Sequence, residues 1–501
     1  MKSVDVGFLV SKSDFLLYRE CDKNAWMKIH RPDIFYSSEL SEFEKSIIET
    51  GNEVEVVARK LFPTGVLVEG RDATAEKFTQ ELIAKKENII FQPVFSRDGF
   101  FAACDIITYD TKTDSYSVYE VKATTEVKDS LHVPDIAFQV NLLRRCGLSV
   151  TQSYILHLDS RYVRAGELDI AKLFITENVT EDVEEMMPRI DVEVKRALEY
   201  LSKEVEPKGN CVCIYKGRSK HCATFKHSNP EVPEYSVHDI ARIGLSKKKL
   251  TELVDGRFFG IHEVSDDFEL SDIQRNQVDA HNLDRILKKN DHIAEEFENL
   301  VFPLYFLDYE TFPSAIPRFD GFSPYQQIPF QYSLHIVNKP GAEIIHHEFL
   351  HTDEDDPSLA FVTALTRDIG DKGTVVVWNK KFECKINDEI SRRLPSYKPF
   401  IDDVNSRVYD LMDVFSKQFY VHKDFRGGTS IKDVLPVLVP ELSYKSLSIK
   451  EGGTASQKWN EMTTGGLDSS EKSEIANNLR EYCKLDTYAM YAIWKHLYDN
   501  I

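Results

Sequence analysis

The sequence predicts a multidomain α/β protein, on three observations. The chain has 501 residues, enough for roughly two to four domains. Its apolar fraction is 42%, with 30 Phe and 22 Tyr residues to fill cores, which marks a globular chain rather than a disordered one. The hydrophobic period also switches repeatedly between helical and strand spacing, so that helices and strands interleave. No apolar run reaches the ~18 residues that a membrane-spanning helix needs. The N-terminal MKSVDVGFLVSKSDF lacks the long apolar core of a signal peptide. A cytoplasmic protein with no membrane partner is expected.

Residues 1–225 read as a first domain. Ser11-Lys-Ser-Asp14 opens an amphipathic pattern through Phe15, Leu16, Tyr18 and Cys21, the signature of a helix start. Residues 39–61 and 75–87 read as two more helices. The β-branched and aromatic stretches 89–95, 99–109 and 115–121 follow, with turn signals at Asp98-Gly99 and across 111–114, and predict a meander of strands. A helix over 133–146, a strand over 152–158 and helices across 180–203 lead to Cys211, Cys213 and Cys222. Residues 226–300 read as a helical connector with short helical stretches at 237–243 and 247–254. That pattern fits a helix-hairpin-helix-like piece, and fits a packed helical linker more readily. Residues 301–501 read as a second domain. Its expected strands are 301–307, ending in Asp308-Tyr-Glu310, then 330–337, 343–349 and 374–378, with helices over 357–369, from Ser430, and at the C-terminus. Asp433 stands at capping-box spacing from Ser430.

The formal net charge of −20 weighs against a general polyanion binder, because phosphate binding needs local positive charge. It does not exclude a nuclease, since metal-binding carboxylates add negative charge and a basic groove can be local. The basic runs at 216–220 and 246–249 read equally well as solvated surface. The eight cysteines are not expected to form disulfides in a cytosolic chain. Three of them crowd into residues 211–222, a density that invites a metal.

The triplet Glu-Val-Lys occurs three times, beginning at Glu120, Glu126 and Glu193. A strand places residues i and i+2 on one face, so Glu120 and Lys122 project together. A turn at 110–114 returns the chain antiparallel and sets Asp105 near Glu120, with Gln139 on the following helix. Metal-assisted phosphodiester hydrolysis needs carboxylates to hold a divalent ion and a group to position water. Glu126 lies past the strand, and Glu193 lies in a helix, where i and i+2 diverge. A second constellation joins Asp308 and Glu310, on one strand face, to Glu383 after the strand ending at Asn379, and to Tyr482 and Asp486, one helical turn apart. Acids at these spacings are common in so acidic a chain, and each set taken alone is weak.

The opening SKSDFLLYRECDKNAW, the Asp105…Glu120-Val-Lys122 pair and the closing cysteines resemble the RecB-like PD-(D/E)XK nucleases, the group that includes the CRISPR-adaptation exonucleases. The resemblance implies a restriction-endonuclease-like core with a helical cap. It also implies an iron–sulfur cluster of the 4Fe-4S type on Cys21, Cys211, Cys213 and Cys222. The spacing C-x-C-x8-C departs from that group's wider first gap and shorter second one. A lost or shifted cluster, zinc with His221 or His227, or free cysteines therefore stay open. The group's upstream helix residue, often a histidine, has Glu53 or Glu55 as its nearest counterpart. FLDYETF, VVVWNKKFE and REYCKLD resemble the DnaQ-like, RNase H-fold exonucleases of the DEDD type, tyrosine subtype. That resemblance implies Asp308, Glu310 and Asp486 as metal ligands, Glu383 at the third acidic position, where the family usually has aspartate, and Tyr482 orienting water. Asp410 and Asp413 are alternates for the third acid. FLDYETFPSAIPRFDGFSPYQQIPFQYSLHIV, VVVWNKKFE and LVPELSYKSL resemble an uncharacterised bacterial family that carries this exonuclease-like domain behind a RecB-like one. Tyr325, Gln326 and Gln327 in that loop either approach substrate or pack over the sheet. Together the resemblances imply a nuclease acting on DNA, with Mg²⁺ or Mn²⁺ at both sites, in repair, recombination or defence. RNA as substrate, and a nucleic-acid-binding scaffold with decayed sites, are the alternatives.

Overall fold

The computed structural model describes residues 9–37 and 42–501. They divide into two compact units. The first holds the residues up to Ile214 together with Lys220–Pro230 and Ala315–Tyr325; the second holds Tyr215–Ser219, Glu231–Ser314 and Gln326–Ile501. The expected connector 226–300 thus belongs to the first unit up to Pro230 and to the second beyond it.

The first unit is built on a six-stranded sheet in the order Val66–Leu67, Ile89–Phe91, Ile106–Asp110, Ser115–Lys122, Val150–Leu158, Phe174–Asn178. Ile106–Asp110 and Ser115–Lys122 pair antiparallel, with Ile106 opposite Tyr119. Ser115–Lys122 and Val150–Leu158 pair in parallel, which requires a crossover, and the helix Asp129–Arg145 supplies it. This helix is buried without interruption from Val133 to Leu143, as befits a helix packed on every side. Helices Lys12–Glu20 and Thr180–Leu201 lie against it, and Phe15 stacks on Phe138 with centroids 4.7 Å apart.

The meander expected over 89–109 is corrected. Each apolar stretch bends and serves two sheets. Val94–Arg97 and Phe100–Ala103 pair with each other, and the latter pairs with Val10–Ser11, in a separate three-stranded sheet. The bend falls at Gln92-Pro93 and Cys104-Asp105. Pro93 has no N–H to give a ladder, and Gln92 takes a left-handed φ of 53°. Two backbone bonds, Gln92 N to Asp105 O and Cys104 N to Pro93 O, keep the strands paired across it. The helix Asp22–His30 was not expected; it is separated from Lys12–Glu20 by Cys21 alone, in extended backbone at φ −161°. The helix read over 39–61 is described from Glu42 to Ala58, with a 3-10 turn over Arg59–Leu61; residues 39–41 of that reading lie outside the described residues.

The second unit is built on a five-stranded sheet in the order Ile345–Leu350, Gln327–Val337, Leu304–Pro313, Thr374–Val377, Val408–Asp410. The first three strands in chain order form an antiparallel meander. Thr374–Val377 and then Val408–Asp410 add in parallel on the other side of Leu304–Pro313. The central strand divides its side chains between two cores by its period of two. Leu304 and Phe306 pack with Ile493 and Trp494 of the closing helix Ser469–Asp499. Tyr305, Leu307 and Tyr309 pack on the opposite face with Phe361 and Ile386. The strand expected over 301–307 begins only at Leu304, after Pro303, and runs on through Asp308 and Glu310 to Pro313. Its register shifts between Glu310 and Thr311. The stretch expected as a helix over 237–243 is two 3-10 turns, Val237–Asp239 and Ile243–Leu245.

Helix Gly452–Thr464 has a polar, glycine-led sequence and was not expected. Its buried face is Ala455, Ser456, Trp459, Met462 and Thr463, and Trp459 is the largest of them. Trp459 is fully buried, stacks on Phe330 at 4.7 Å and 9°, and donates its indole N–H to His351 O at 2.9 Å. Trp459→Ala is expected to cost about 3–5 kcal/mol, read as a lowered midpoint of the urea-unfolding transition that reports on the second unit. A loss under ~1 kcal/mol would show that the helix is secured elsewhere.

Candidate functional sites

In the first unit, the antiparallel register brings Asp105 beside Glu120 and Val121, and Asp105 Oδ2 accepts the Val121 N–H at 2.8 Å. Glu120 is buried, and both its oxygens are taken. Oε1 accepts from Lys122 Nζ at 2.8 Å and from Lys12 Nζ at 2.7 Å, while Oε2 accepts from Gln139 Nε2 at 2.6 Å. Asp135 completes the group. It is paired with Lys122, with Lys12 at 3.1 Å and with Gln139 at 3.2 Å. Lys12 opens its helix behind the N-cap Ser11, whose side chain closes a capping box with Asp14. Lys12 and Asp135 were missed in the sequence. Asp135 lies one helical turn before Gln139, a spacing that could have flagged it. Lys12 is 108 residues from Glu120, and no local signal joins them.

The charges of this site balance closely. Burial pushes the Glu120 carboxyl up, but Lys12 and Lys122 outweigh it and hold the group well below the carboxylate range. Desolvation works against the Lys122 ammonium, and Glu120 and Asp135 reverse it and raise its pKa. Asp105 is pushed up to about 8, by desolvation first and then by Glu120, with Lys12 opposing. The charge of Glu55 also acts on Asp105; Glu55 itself accepts from Gln92 at 2.6 Å and from Arg59. Glu53 is exposed. The other two copies of the triplet sit apart from the site. Glu126 is exposed and lies 3.4 Å from Lys128, and Glu193 pairs with Arg19 at 2.8 Å and Arg189 at 2.6 Å.

In the second unit, Asp308 and Glu310 share the strand face toward the closing helix, which brings Tyr482 and Asp486. Asp486 Oδ1 accepts the Tyr444 hydroxyl at 2.5 Å. The Tyr444 and Tyr482 rings lie 6.1 Å apart, and Lys432 Nζ stands 5.8 Å from the centroid of each. Glu383, in the first turn of helix Lys380–Arg393, is 3% exposed, and its Oε2 has no hydrogen-bond partner. The electrostatics are those of crowded like charges. Asp308 is pushed well above the carboxylate range by desolvation, Asp486, Glu310 and Glu383, with Lys432 opposing. Glu310 is pushed up by desolvation, Asp486 and Glu383, again against Lys432. Glu383 rises to about 8 through burial and Asp410. Asp486 rises to about 6 through burial, held back by Tyr444 and Lys432.

Oxygen donors of this kind suit a hard divalent cation such as Mg²⁺ or Mn²⁺. The free oxygen of Glu383 and the mutual repulsion are what such a cation would relieve, so the residues fit the group. Asp308 and Glu310, which have oxygens within 4.8 Å of one another, would hold it; Asp486 and Glu383 lie outside that group but near enough to push both carboxyls up. Cys483 Sγ also lies within 4.8 Å of Asp308 and Glu310 oxygens. Burial and the carboxylates push this thiol well up, so it stays protonated and donates to Asp308 O at 3.9 Å. Lys432, Tyr444 and Cys483 were not among the expected site residues, although Lys432 stands two residues after the recognised cap Ser430 and Tyr444 lies within the LVPELSYKSL stretch. Asp410 accepts the Lys380 N–H at 3.0 Å and the Met412 N–H at 3.1 Å, which makes it a brace for the helix that carries Glu383. Asp413 pairs with Lys417 at 3.0 Å.

The thiols of Cys21, Cys211, Cys213 and Cys222 converge, with all four sulfurs within 4.8 Å of one another. Their donor set suits a thiophilic metal. His221 stacks on Phe225 at 3.4 Å, and His227 Nε2 lies 3.3 Å from Glu206; neither joins the group of four among the described residues. Tyr325 donates to Ala123 O at 2.6 Å, and Gln327 accepts from Thr311 at 2.7 Å, contacts that pack their loop. In the basic run at 216–220, Arg218 pairs with Asp239. No helix among the described residues is long and apolar enough to cross a membrane.

A family model described as a domain of unknown function, DUF2779, matches residues 305–430. That segment contains Asp308, Glu310 and Glu383 and stops short of Tyr482 and Asp486. The chain is similar to two curated mycoplasmal proteins. The uncharacterized protein MG366 homolog of Mycoplasma pneumoniae is 27% identical over 215 residues, which are 39% of this chain and 32% of that protein. The uncharacterized protein MG366 of Mycoplasma genitalium is 26% identical over 221 residues, with the same shares covered. The chain thus matches about a third of the length of these relatives.

Crowded carboxylates make a prediction about stability. Asp308→Asn removes a carboxyl that burial and its acidic neighbours make costly to ionise, and is expected to raise the melting temperature of the metal-free protein at neutral pH by about 2–4 °C, the effect of roughly 1 kcal/mol in a unit of this size. The same change is expected to shrink the upward shift that MnCl₂ produces in the unaltered protein. Differential scanning fluorimetry in EDTA and in MnCl₂ reads both. A protein whose melting is indifferent to Mn²⁺ and Mg²⁺ would remove the case for a cation at this site.

Proposed function

We propose that this protein is a metal-dependent phosphodiesterase acting on nucleic acid, a DNA exonuclease whose principal site is the acidic cluster of the second unit. The observation that carries the reading is the crowding of carboxylates there: Asp308 and Glu310 are each pushed up by burial, Asp486 and Glu383, and Lys432 is the ammonium that opposes. The RNase H-like reading of this unit is supported by its sheet, an antiparallel meander of three strands with two parallel strands added beyond the first. The PD-(D/E)XK reading of the first unit is supported by Asp105, at the bend that opens strand Ile106–Asp110, by Glu120 and Lys122 on the paired strand, and by Gln139 on the crossover helix.

When bound, divalent cations neutralise phosphate charge and lower the pKa of an attacking water. The chain's own residues have distinct tasks. Asp308 and Glu310 hold the cation. Tyr444 fixes the Asp486 carboxylate by its hydrogen bond. Tyr482 keeps its proton, because burial, Asp486, Glu310 and Asp308 push its phenol well up, and so it orients water as a donor. Lys432 directs positive charge toward a phosphate. Glu383, on a helix start braced by Asp410, stands at the third acidic position, one methylene longer than aspartate.

A second reading has its own observation. Both oxygens of Glu120 and one of Asp105 are already engaged by the chain, and in this second reading the first unit guides nucleic acid without cutting it. One assay tests both. End-labelled single- and double-stranded DNA and RNA are incubated with the full chain and Mn²⁺. Asp308→Ala is expected to lower the rate at least ~10²-fold and Tyr482→Phe roughly 10²-fold. Lys122→Ala abolishes a separate product pattern if the first site cuts, and changes nothing in the products if it only guides. Degradation of RNA alone would replace DNA as the substrate, and intact substrates throughout would end the nuclease reading.

A further inference from the structure

The cysteine group does not have the dimensions of the iron–sulfur cluster that the N-terminal resemblance implies. We propose that Cys21, Cys211, Cys213 and Cys222 instead hold one tetrahedrally coordinated metal ion, of the zinc class, as a closed structural site. The argument is geometric and independent of any nuclease activity. Four thiolates around one ion at ~2.3 Å sit at the corners of a tetrahedron with edges of ~3.8 Å. Cys211 and Cys222 sulfurs are 3.8 Å apart, Cys21 and Cys222 sulfurs 4.0 Å apart, and no pair exceeds 4.8 Å. A cubane sets an iron corner between each thiolate and the centre and would spread the sulfurs to ~6 Å.

Caps and hydrogen bonds position each cysteine. Cys21 is held between two helices, as the C-cap of Lys12–Glu20 and the N-cap of Asp22–His30. Asn229 grips Cys211 twice, donating to its sulfur and accepting its N–H, both at 3.2 Å. An amide N–H on a thiolate sulfur is also the kind of outer contact that orients a metal ligand. Cys213 lies in a 3-10 turn, and Cys222 O accepts the Phe225 N–H at 3.0 Å. Cys21, Cys211 and Cys213 are each 1% exposed, which shields the group from solvent. All four positions are thiolates and none is left for water or substrate, the arrangement of a structural rather than a catalytic zinc site. Such an ion ties Cys21, at the end of the helix that begins with Lys12, to a loop about 190–200 residues later in the chain, and so helps to set Lys12 on Glu120.

The full-length chain, purified without oxygen from cells supplied with both iron and zinc, provides the test. One zinc, or one iron without acid-labile sulfide, per chain by elemental and sulfide analysis supports the proposal. Several irons with matching sulfide, or a chain free of metal, overturns it. Cobalt exchanged into the unaltered chain is expected to give thiolate-to-cobalt charge-transfer bands with the visible bands of a tetrahedral ion, and octahedral cobalt bands would count against it. Cys213→Ser is expected to lower metal content at least tenfold. Because that variant can fail to fold, titration of the unaltered chain with a mercurial thiol reagent is the companion measurement. Release of the ion in step with modification of the cysteines supports the site, and release without thiol modification refutes it.

Discussion

Placing carboxylates beside one another away from water is unfavourable unless opposite charge answers them, and the second unit is organised around that constraint. Its central strand carries Asp308 and Glu310 toward the helix that carries Asp486, and the three groups repel. Polar contacts and packing hold strand and helix together against this. Gln331 of the neighbouring strand donates to Leu479 O at 2.9 Å, and Ser333 and His335 meet Thr487 at 2.7 and 2.8 Å. Beyond the acids, Phe306 packs against Ile493 and Trp494 on the same helix. The apolar half of the strand therefore fixes the geometry in which its acidic half is unfavourable alone and receptive to a cation.

The first unit meets the same constraint differently. Glu120 is at least as buried as Glu310, yet its carboxyl is held low while that of Glu310 is pushed up. The difference is two lysines. Lys12 and Lys122 bracket Glu120 and Asp135, so the network satisfies itself. One site has two lysines bonded to its acids and the other has Lys432 opposing several, although each combines acids on a strand, Glu120 or Asp308 and Glu310, with acids on helices, Asp135 or Glu383 and Asp486. The cysteine group is a third case, in which the helix break at Cys21 and a distant loop converge at a spacing suited to one ion.

Much of this was legible locally. Period-two alternation places Glu120 with Lys122 and Asp308 with Glu310, and one helical turn joins Tyr482 to Asp486, because strand and helix repeats are properties of the backbone. Strand pairing brings Asp105 to Glu120 because the intervening turn is short. The apolar stretches at 89–95 and 99–109 were not resolved into two sheets each, since hydrophobicity records burial and not the direction of a bend. Helix Gly452–Thr464 was hard to see because its buried face, Ala455, Ser456, Trp459, Met462 and Thr463, is built largely of small and polar residues around one tryptophan.

The sequence by itself determined the alternation of helix and strand and the local pairs Glu120–Lys122, Asp308–Glu310 and Tyr482–Asp486, which rest on backbone repeats between residues near in the chain; the joining of the distant acids, and of Cys21 to the later cysteines, came from resemblance to known families. Only the tertiary structure decided that Lys12 neutralises Glu120, that Lys432 and Tyr444 face the second cluster, that Asp410 braces a helix, and that the four sulfurs lie within 4.8 Å of one another. These are long-range contacts, and their distances are set by how whole sheets and helices pack, which no short stretch of residues encodes.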